Sequence, residues 1–104
     1  MSSDIHLNDE LRWNMRSVNF DFIVERVLAK GPIHDDEMED YLKWSLESGI
    51  LALDRFDDPK QNRRITELVL EGIQAWIDAD KVSNHLAYGE AEHIENMAKA
   101  IRSY

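Results

Sequence analysis

A glutamate and a histidine stand three residues apart near the end of the chain, at Glu90 and His93, and His85 precedes them. In a helix this spacing directs both side chains to one face, where they can share a metal ion, as in di-iron carboxylate bundles. Those bundles use the pair twice and add two further glutamates, whereas this sequence has the pair once. Because the pair occurs only once, a solvated helix face without bound metal is favoured. A small metal- or ligand-binding helical bundle is the alternative.

The sequence has no recognisable motif for a catalytic nucleophile or for phosphate binding. No serine lies in the glycine-flanked turn that exposes a hydrolase nucleophile, and cysteine is absent. Only four glycines occur, and none forms a loop that could hold a phosphate. The acidic run that starts at His34 and Asp35 lies where a helix is predicted to begin, and capping explains acidic residues there. The sequence predicts a protein that is not an enzyme and that needs no cofactor.

A basic cluster, Lys60, Arg63 and Arg64, stands at another predicted helix start, where the helix dipole disfavours cations. Two explanations are compatible with the sequence. The cluster pairs with acidic residues next to it in the chain, or it receives a carboxylate from a partner. Exposed ion pairs are common and weak, so the first explanation is favoured.

Four helical segments are expected to carry these residues, which predicts an all-α fold with one domain over residues 1–104. The first runs from about 8 to 30, with Asn8 as its cap and Gly31-Pro32 as its end. The second begins at His34 or Asp35. It either ends at Gly49 or continues to Phe56, and the apolar spacing favours the continuation. The third begins at Asp58-Pro59, and the fourth covers about 83–102.

The third segment has one continuous apolar face, because its apolar residues recur at spacings of three and four. This face consists of Ile65, Leu68, Val69, Gly72, Ile73, Trp76 and Ile77. A glycine in the middle of such a face predicts that a neighbouring helix approaches closely at Gly72. The fourth segment is the least apolar, and its inner residues are predicted to be Leu86, Ile94, Met97, Ala98 and Ile101.

The first segment has two apolar stripes, which is one more than three short companion helices can cover. The first stripe consists of Leu11, Met15, Val18 and Phe22, and the second of Trp13, Phe20, Ile23, Val24 and Val27. The alternation from Val18 to Phe22 also fits a short strand, but no second strand is evident to pair with it, so a helix is favoured. We expect Trp13, Phe20, Ile23 and Val27 to form an intermolecular contact.

Trp44 is the other candidate for an interface. It lies between Lys43 and Glu47, off the predicted inner face of the second segment, which consists of Met38, Tyr41, Leu42, Ser45 and Leu46. A large ring on a polar face is a candidate anchor, because tryptophan is enriched at the energetic centres of interfaces. The alternative, that another helix of the same subunit covers Trp44, is equally compatible with the sequence.

The charge and composition limit the classes of partner. The chain has 21 acidic and 12 basic residues and a net charge of -9, so nucleic acid and anionic membranes are disfavoured. Its 43% hydrophobic content fits a globular domain. No signal peptide or membrane span is evident, and a cytoplasmic location is expected. The sequence therefore predicts a symmetric dimer that sequesters another protein, such as a transcription regulator. An acidic DNA mimic is the alternative.

The chain also resembles the QslA-type anti-activators of quorum sensing in pseudomonads. The resemblance involves its size, its acidity, its helical content and two apolar segments, at residues 18–24 and 65–70. It implies a homodimer that binds the ligand-binding domain of a LuxR-type transcription activator. Such binding would block the dimerisation of the activator and its use of DNA. No individual binding residue follows from the resemblance.

Overall fold

The computed structural model describes residues 2–8, 10–31, 33–83 and 88–103. Over these residues the chain forms a mixed α/β fold, so the prediction of an all-α fold is wrong. The elements in chain order are β1 (Ser2–His6), β2 (Arg12–Arg16), α1 (Ser17–Ala29), α2 (Asp36–Ser48), β3 (Ile50–Ala52), α3 (Pro59–Ser83) and α4 (Tyr88–Ser103). The three strands form one sheet in the order β2-β1-β3.

The first two strands form a hairpin in the part of the chain where the first helix was predicted to begin. Asn8 does not cap a helix. Its Oδ1 accepts hydrogen bonds from the backbone N–H groups of Glu10 (2.8 Å) and Leu11 (2.9 Å), and this closes the turn. Asparagine competes for either role because its side chain binds nearby backbone N–H groups in both. The pairing of β1 with β2 is antiparallel, and α1 begins only at Ser17.

Strand β3 replaces the predicted continuation of the second helix. Gly49 ends α2 with φ 75°, in the left-handed region, and its N–H donates to the Ser45 carbonyl at 2.8 Å. The chain then runs parallel to β1, with Ile50 opposite Asp4. The predicted continuation to Phe56 is therefore wrong. Glycine adopts this left-handed conformation without steric cost, and pairing with β1 stabilises the extended chain that follows.

Helices α1 and α3 pack closely at Gly72, as the sequence predicts. A Cβ atom at Gly72 would lie 2.7 Å from the Ile23 carbonyl oxygen and 3.0 Å from Val27 Cγ2. On α3, Ile65, Val69, Ile73, Trp76 and Ile77 are buried, and on α4 so are Ile94, Met97, Ala98 and Ile101. The inner faces predicted for these residues are confirmed. Leu86 lies outside the described residues.

Most of the second apolar stripe of the first segment lies in the core and not at a surface. Phe20, Ile23 and Val27 are buried to 3% exposure or less in the core of the single chain, whereas Val18 is 61% and Phe22 39% exposed. Residues 12–16 form β2, so only the residues from Ser17 onward share a helix. The side of α1 that is buried is the one that faces α3. The expectation that Phe20, Ile23 and Val27 form a surface stripe is corrected.

The alternating residues from Val18 to Phe22 lie within α1, which confirms the choice of helix there. Among the described residues no helix is both long enough and apolar enough to cross a membrane.

Candidate functional site

A groove between α2, β3 and the loop after β3 contains the most exposed large ring of the described chain. Trp44 is 50% exposed and stacks on Tyr41, with ring centroids 5.7 Å apart and an interplanar angle of 18°. The groove has a volume of about 460 Å³, within the range of ordinary ligand sites. We call this site the aromatic groove; its lining residues are Glu37, Asp40, Tyr41, Trp44, Ile50, Arg55 and Phe56.

Helix α2 presents four of these residues on one face. Glu37 lies three and four positions before Asp40 and Tyr41, and Trp44 lies four and three positions after them, so the four side chains are neighbours on the helix surface. The start of the helix is fixed by Asp35, whose Oδ1 accepts from the Met38 N–H at 3.0 Å, which confirms Asp35 as the cap. The acidic wall of the groove is therefore set by the sequence spacing of one capped helix.

Asp35 also joins α2 to α3. Its Oδ2 accepts a hydrogen bond from Gln61 Nε2 at 3.1 Å. The hydrogen bond from Gln61, followed by that from the Met38 N–H, lowers the pKa of the Asp35 carboxyl below its ordinary value. Asp35 thereby fixes the first turn of α2 against the first turn of α3, and both of its carboxylate oxygens accept a hydrogen bond.

Tyr41 forms the floor of the aromatic groove. It is buried to 7% exposure, and its ring meets Phe56 edge to face at 5.7 Å between centroids. The Arg55 guanidinium lies over the Tyr41 ring, 5.1 Å from its centroid. Burial raises the pKa of the Tyr41 hydroxyl, since the charged form would be poorly solvated. Tyr41 is thus a neutral, packed support on which Trp44 and Arg55 rest.

The outer edge of β3 borders the groove and is closed to a further strand. The hydrogen bonds from Asp4 N–H to Gly49 O and from Leu53 N–H to His6 O face β1, so the N–H groups of Ile50 and Ala52 face away from it. The Ala52 N–H donates to the Tyr41 hydroxyl at 2.8 Å, and the Ile50 N–H donates to Ser48 Oγ at 3.3 Å. Both outward donors are satisfied inside the chain, which disfavours strand addition at this edge.

Asn62 holds the loop that completes the groove. Its Oδ1 accepts from the Phe56 N–H at 2.8 Å, and its Nδ2 donates to the Phe56 carbonyl at 2.9 Å. Both backbone groups of Phe56 are therefore bound by one side chain from the first turn of α3. This pair of bonds places the Phe56 ring against Tyr41 and positions the neighbouring Arg55.

The structure separates the predicted interface residues into three groups. Trp44 lies in the aromatic groove, half exposed, while Phe20, Ile23 and Val27 lie in the core. Trp13, on β2, is partly buried and packs against the core. The structure therefore brings none of these four residues, which were predicted to form one stripe of the first helical segment, to the groove that contains Trp44.

Sequence reasoning missed Tyr41, Ile50, Arg55 and Phe56 as groove residues. Tyr41 was assigned to the inner face of α2, and Ile50 and Phe56 were assigned to a continued helix. The signal that could have separated them is Gly49, because a glycine followed by an apolar run also fits a helix end before a strand. The side-chain clamp by Asn62 left no recognisable pattern in the sequence.

Two of the remaining candidate residues, His93 and Arg64, have hydrogen-bond partners within the chain. His93 Nε2 donates to the Asn14 carbonyl at 2.9 Å, which fastens α4 to β2. The side chains of His85 and Glu90 lie outside the described part of the chain. Arg64 donates to the Ile33 carbonyl at 3.0 Å. Within the described residues no group of three His, Asp or Glu side chains is arranged to hold a metal ion.

Two other hollows are lined without any aromatic residue. One, between α1 and α3, includes Arg26 and Leu68. The other, of about 450 Å³, has Leu7 and Ile101 among its lining residues and Arg63 at α3. Neither contains a half-exposed ring, so the aromatic groove is the stronger candidate for recognition.

The chain matches no protein-family model, no curated protein and no solved structure. Function is therefore inferred from the geometry of the aromatic groove and from the charge of the chain.

Proposed function

We propose that this protein is a non-enzymatic binding module that sequesters a regulatory protein through the aromatic groove. The observation that supports this most directly is Trp44, which is 50% exposed yet held in place by stacking on Tyr41. A ring that is already ordered loses little conformational freedom when a partner covers it, and such rings provide much of the energy of interfaces.

The partner is a LuxR-type transcription activator, and binding keeps it from dimerising and from using DNA. This part of the proposal is supported by the resemblance to the QslA-type anti-activators and by the net charge of -9. A strongly acidic surface attracts a basic protein over long range and increases the rate of their association.

The protein acts as a homodimer, and the second copy covers the outer face of α1. Val18 and Phe22 stand one turn apart on this face and are 61% and 39% exposed. Two-fold pairing is the most common assembly for a soluble protein and removes such a face from water. The self-contact and the partner contact are then on different surfaces.

Calorimetric titration tests the role of the aromatic groove. The titrant is the ligand-binding domain of a LuxR-type activator. The variants are Trp44→Ala and, as an exposed apolar control outside both the groove and the α1 outer face, Leu11→Ala, whose side chain is 43% exposed. Loss of an interface anchor costs about 2 kcal/mol or more, which is a weakening of roughly thirtyfold. We expect this for Trp44→Ala and no change for Leu11→Ala. Equal affinities for wild type and Trp44→Ala would overturn the groove as the binding site.

Absence of binding by the wild type would overturn the activator as partner. Capture from a cell extract with wild type and Trp44→Ala as paired baits then tests the module itself. The proposed function requires at least one protein that wild type retains and the variant loses, and identical captures would contradict it.

Light scattering after size-exclusion chromatography tests the dimer. Val18→Asp with Phe22→Asp is expected to give a folded monomer, because a charge on each residue opposes burial of the α1 outer face. Phe20→Asp is expected to unfold the chain instead, since Phe20 is fully buried. A monomeric wild type at micromolar concentration would refute the dimer.

A further inference from the structure

We infer that the aromatic groove recognises a cationic side chain, arginine or lysine, placed over Trp44 beside an apolar neighbour on the partner. This inference rests on the proposed function, because it describes the segment that the groove would take. The aromatic groove thus binds a basic segment of another protein and recognises it by its side chains.

The first support is the arrangement of carboxylates around Trp44. Glu37 and Asp40 lie seven and four positions before Trp44 on α2, so all three side chains share one face of the helix. Both carboxylates line the groove together with Trp44. A cation resting on the indole would have two acidic side chains on the same helix face, and an anion would be repelled by them.

The second support is the cation that the groove already contains. The Arg55 guanidinium lies 5.1 Å from the centre of the Tyr41 ring, so the chain itself places a positive charge on one of the groove's rings. Trp44 has the larger and more electron-rich ring, and it is the ring that stays half exposed. The site for a partner's cation is therefore Trp44, while Arg55 occupies Tyr41.

The balance of charge at the groove also favours a cation. Its lining contains Glu37, Asp40 and Arg55, and the first turn of α2 adds Asp36 and Glu39. Helix α2 also has one cation, Lys43, next to Trp44. The four carboxylates still outnumber the two cations, Lys43 and Arg55. The resulting negative potential attracts a basic segment more strongly than a neutral one.

An apolar residue next to the cation has a place at β3. Ile50 is 42% exposed and lines the groove together with Phe56, whose backbone is held by Asn62. The outward N–H groups of Ile50 and Ala52 are bound by Ser48 and Tyr41, so the partner does not bind as an added strand. Recognition through side chains is typical of a helix or a turn.

Two blocked dipeptides serve as probes: N-acetyl-leucyl-arginine amide and its citrulline analogue, which has nearly the same shape without the charge. Binding is followed by the NMR shifts of the Trp44 indole N–H and the Ile50 methyl groups. We expect the arginine probe to shift both signals and to bind about tenfold more tightly than the citrulline probe. The double variant Glu37→Gln with Asp40→Asn should remove most of that difference, while Gln74→Ala, on the exposed side of α3, should retain it.

The outcomes separate this inference from the proposed function. If both probes bind alike at Trp44, or neither shifts its indole signal, the preference for a cation is overturned. The proposed function is judged instead by the Trp44→Ala titration and capture with whole proteins. A third probe, N-acetyl-leucyl-lysine amide, is expected to bind more tightly than the citrulline probe, since lysine carries the required charge.

Discussion

Replacing Asn62 with alanine removes the two hydrogen bonds that fix the backbone of Phe56. The bonds measure 2.8 Å and 2.9 Å and are partly buried. Nothing else in the described chain is bound to the Phe56 N–H, so the loop that contains Arg55 and Phe56 would lose its attachment to α3. The aromatic groove is then expected to lose the wall opposite α2.

The size of the effect follows from the structure. Each bond contributes about 0.5–1.5 kcal/mol net, so the pair contributes about 2 kcal/mol. Alanine is the better helix former, and the gain on α3 offsets at most about 0.7 kcal/mol. We therefore expect the free energy of unfolding to fall by about 1–2 kcal/mol, which lowers Tm by roughly 5–15 °C in a domain of this size.

Urea denaturation followed by circular dichroism measures the change, and amide hydrogen exchange at Phe56 locates it. Exchange of the Phe56 N–H should accelerate in Asn62→Ala. Asn62→Asp keeps the acceptor for that N–H but loses the donor to the carbonyl, so its Phe56 N–H should stay more protected than in Asn62→Ala. Gln74→Ala, which removes two exposed hydrogen bonds, one to Asp78 on the same helix and one from Arg102 on α4, should stay within about 0.5 kcal/mol of wild type. The reasoning fails if Asn62→Ala matches that control in stability and leaves Phe56 exchange unchanged.

Two further predictions concern the framework of the groove. Gly72→Ala should destabilise the fold, because the new methyl group would lie 2.7 Å from the Ile23 carbonyl oxygen. Overpacking costs about 1–3 kcal/mol, which exceeds the gain in helix propensity of about 1 kcal/mol. A higher urea midpoint for Gly72→Ala than for wild type would contradict this. The lowered pKa of Asp35 predicts a stabilisation that is present above its ordinary pKa of 3.8 and is lost as the pH falls through the lower, folded-state value. The stability difference between wild type and Asp35→Asn should therefore shrink on acidification below about pH 4, and a difference that grows there would exclude this linkage.

The aromatic groove illustrates why a site of this kind is only partly predictable. Trp44 could be selected from the sequence because a tryptophan on a polar helix face is unusual whatever surrounds it. Tyr41 and Phe56 looked like ordinary core residues, and only their contact with Trp44 and Arg55 gives them a place in the groove. The clamp between Asn62 and Phe56 depends on where the loop returns to α3, which local pattern does not encode.

The sequence by itself determined the helices that have strong local signals. The start of α2 at His34 or Asp35, the Asp58-Pro59 start of α3 and the apolar face around Gly72 all follow from interactions within a few residues of each position. The hairpin at Asn8 and the strand after Gly49 were decided by tertiary structure. At both places the local sequence is compatible with a helix and with an extended strand. The strand is selected by backbone hydrogen bonds to β1, which for β3 lies more than forty residues earlier in the chain.

The same physical reason accounts for which apolar stripe of α1 is buried. A period of 3.6 residues identifies two apolar faces, but it does not say which one another helix will cover. Close packing against Gly72 selected the face with Ile23 and Val27, and this left Val18 and Phe22 in solvent. Burial is a property of pairs of elements, so it is fixed only when the chain has folded.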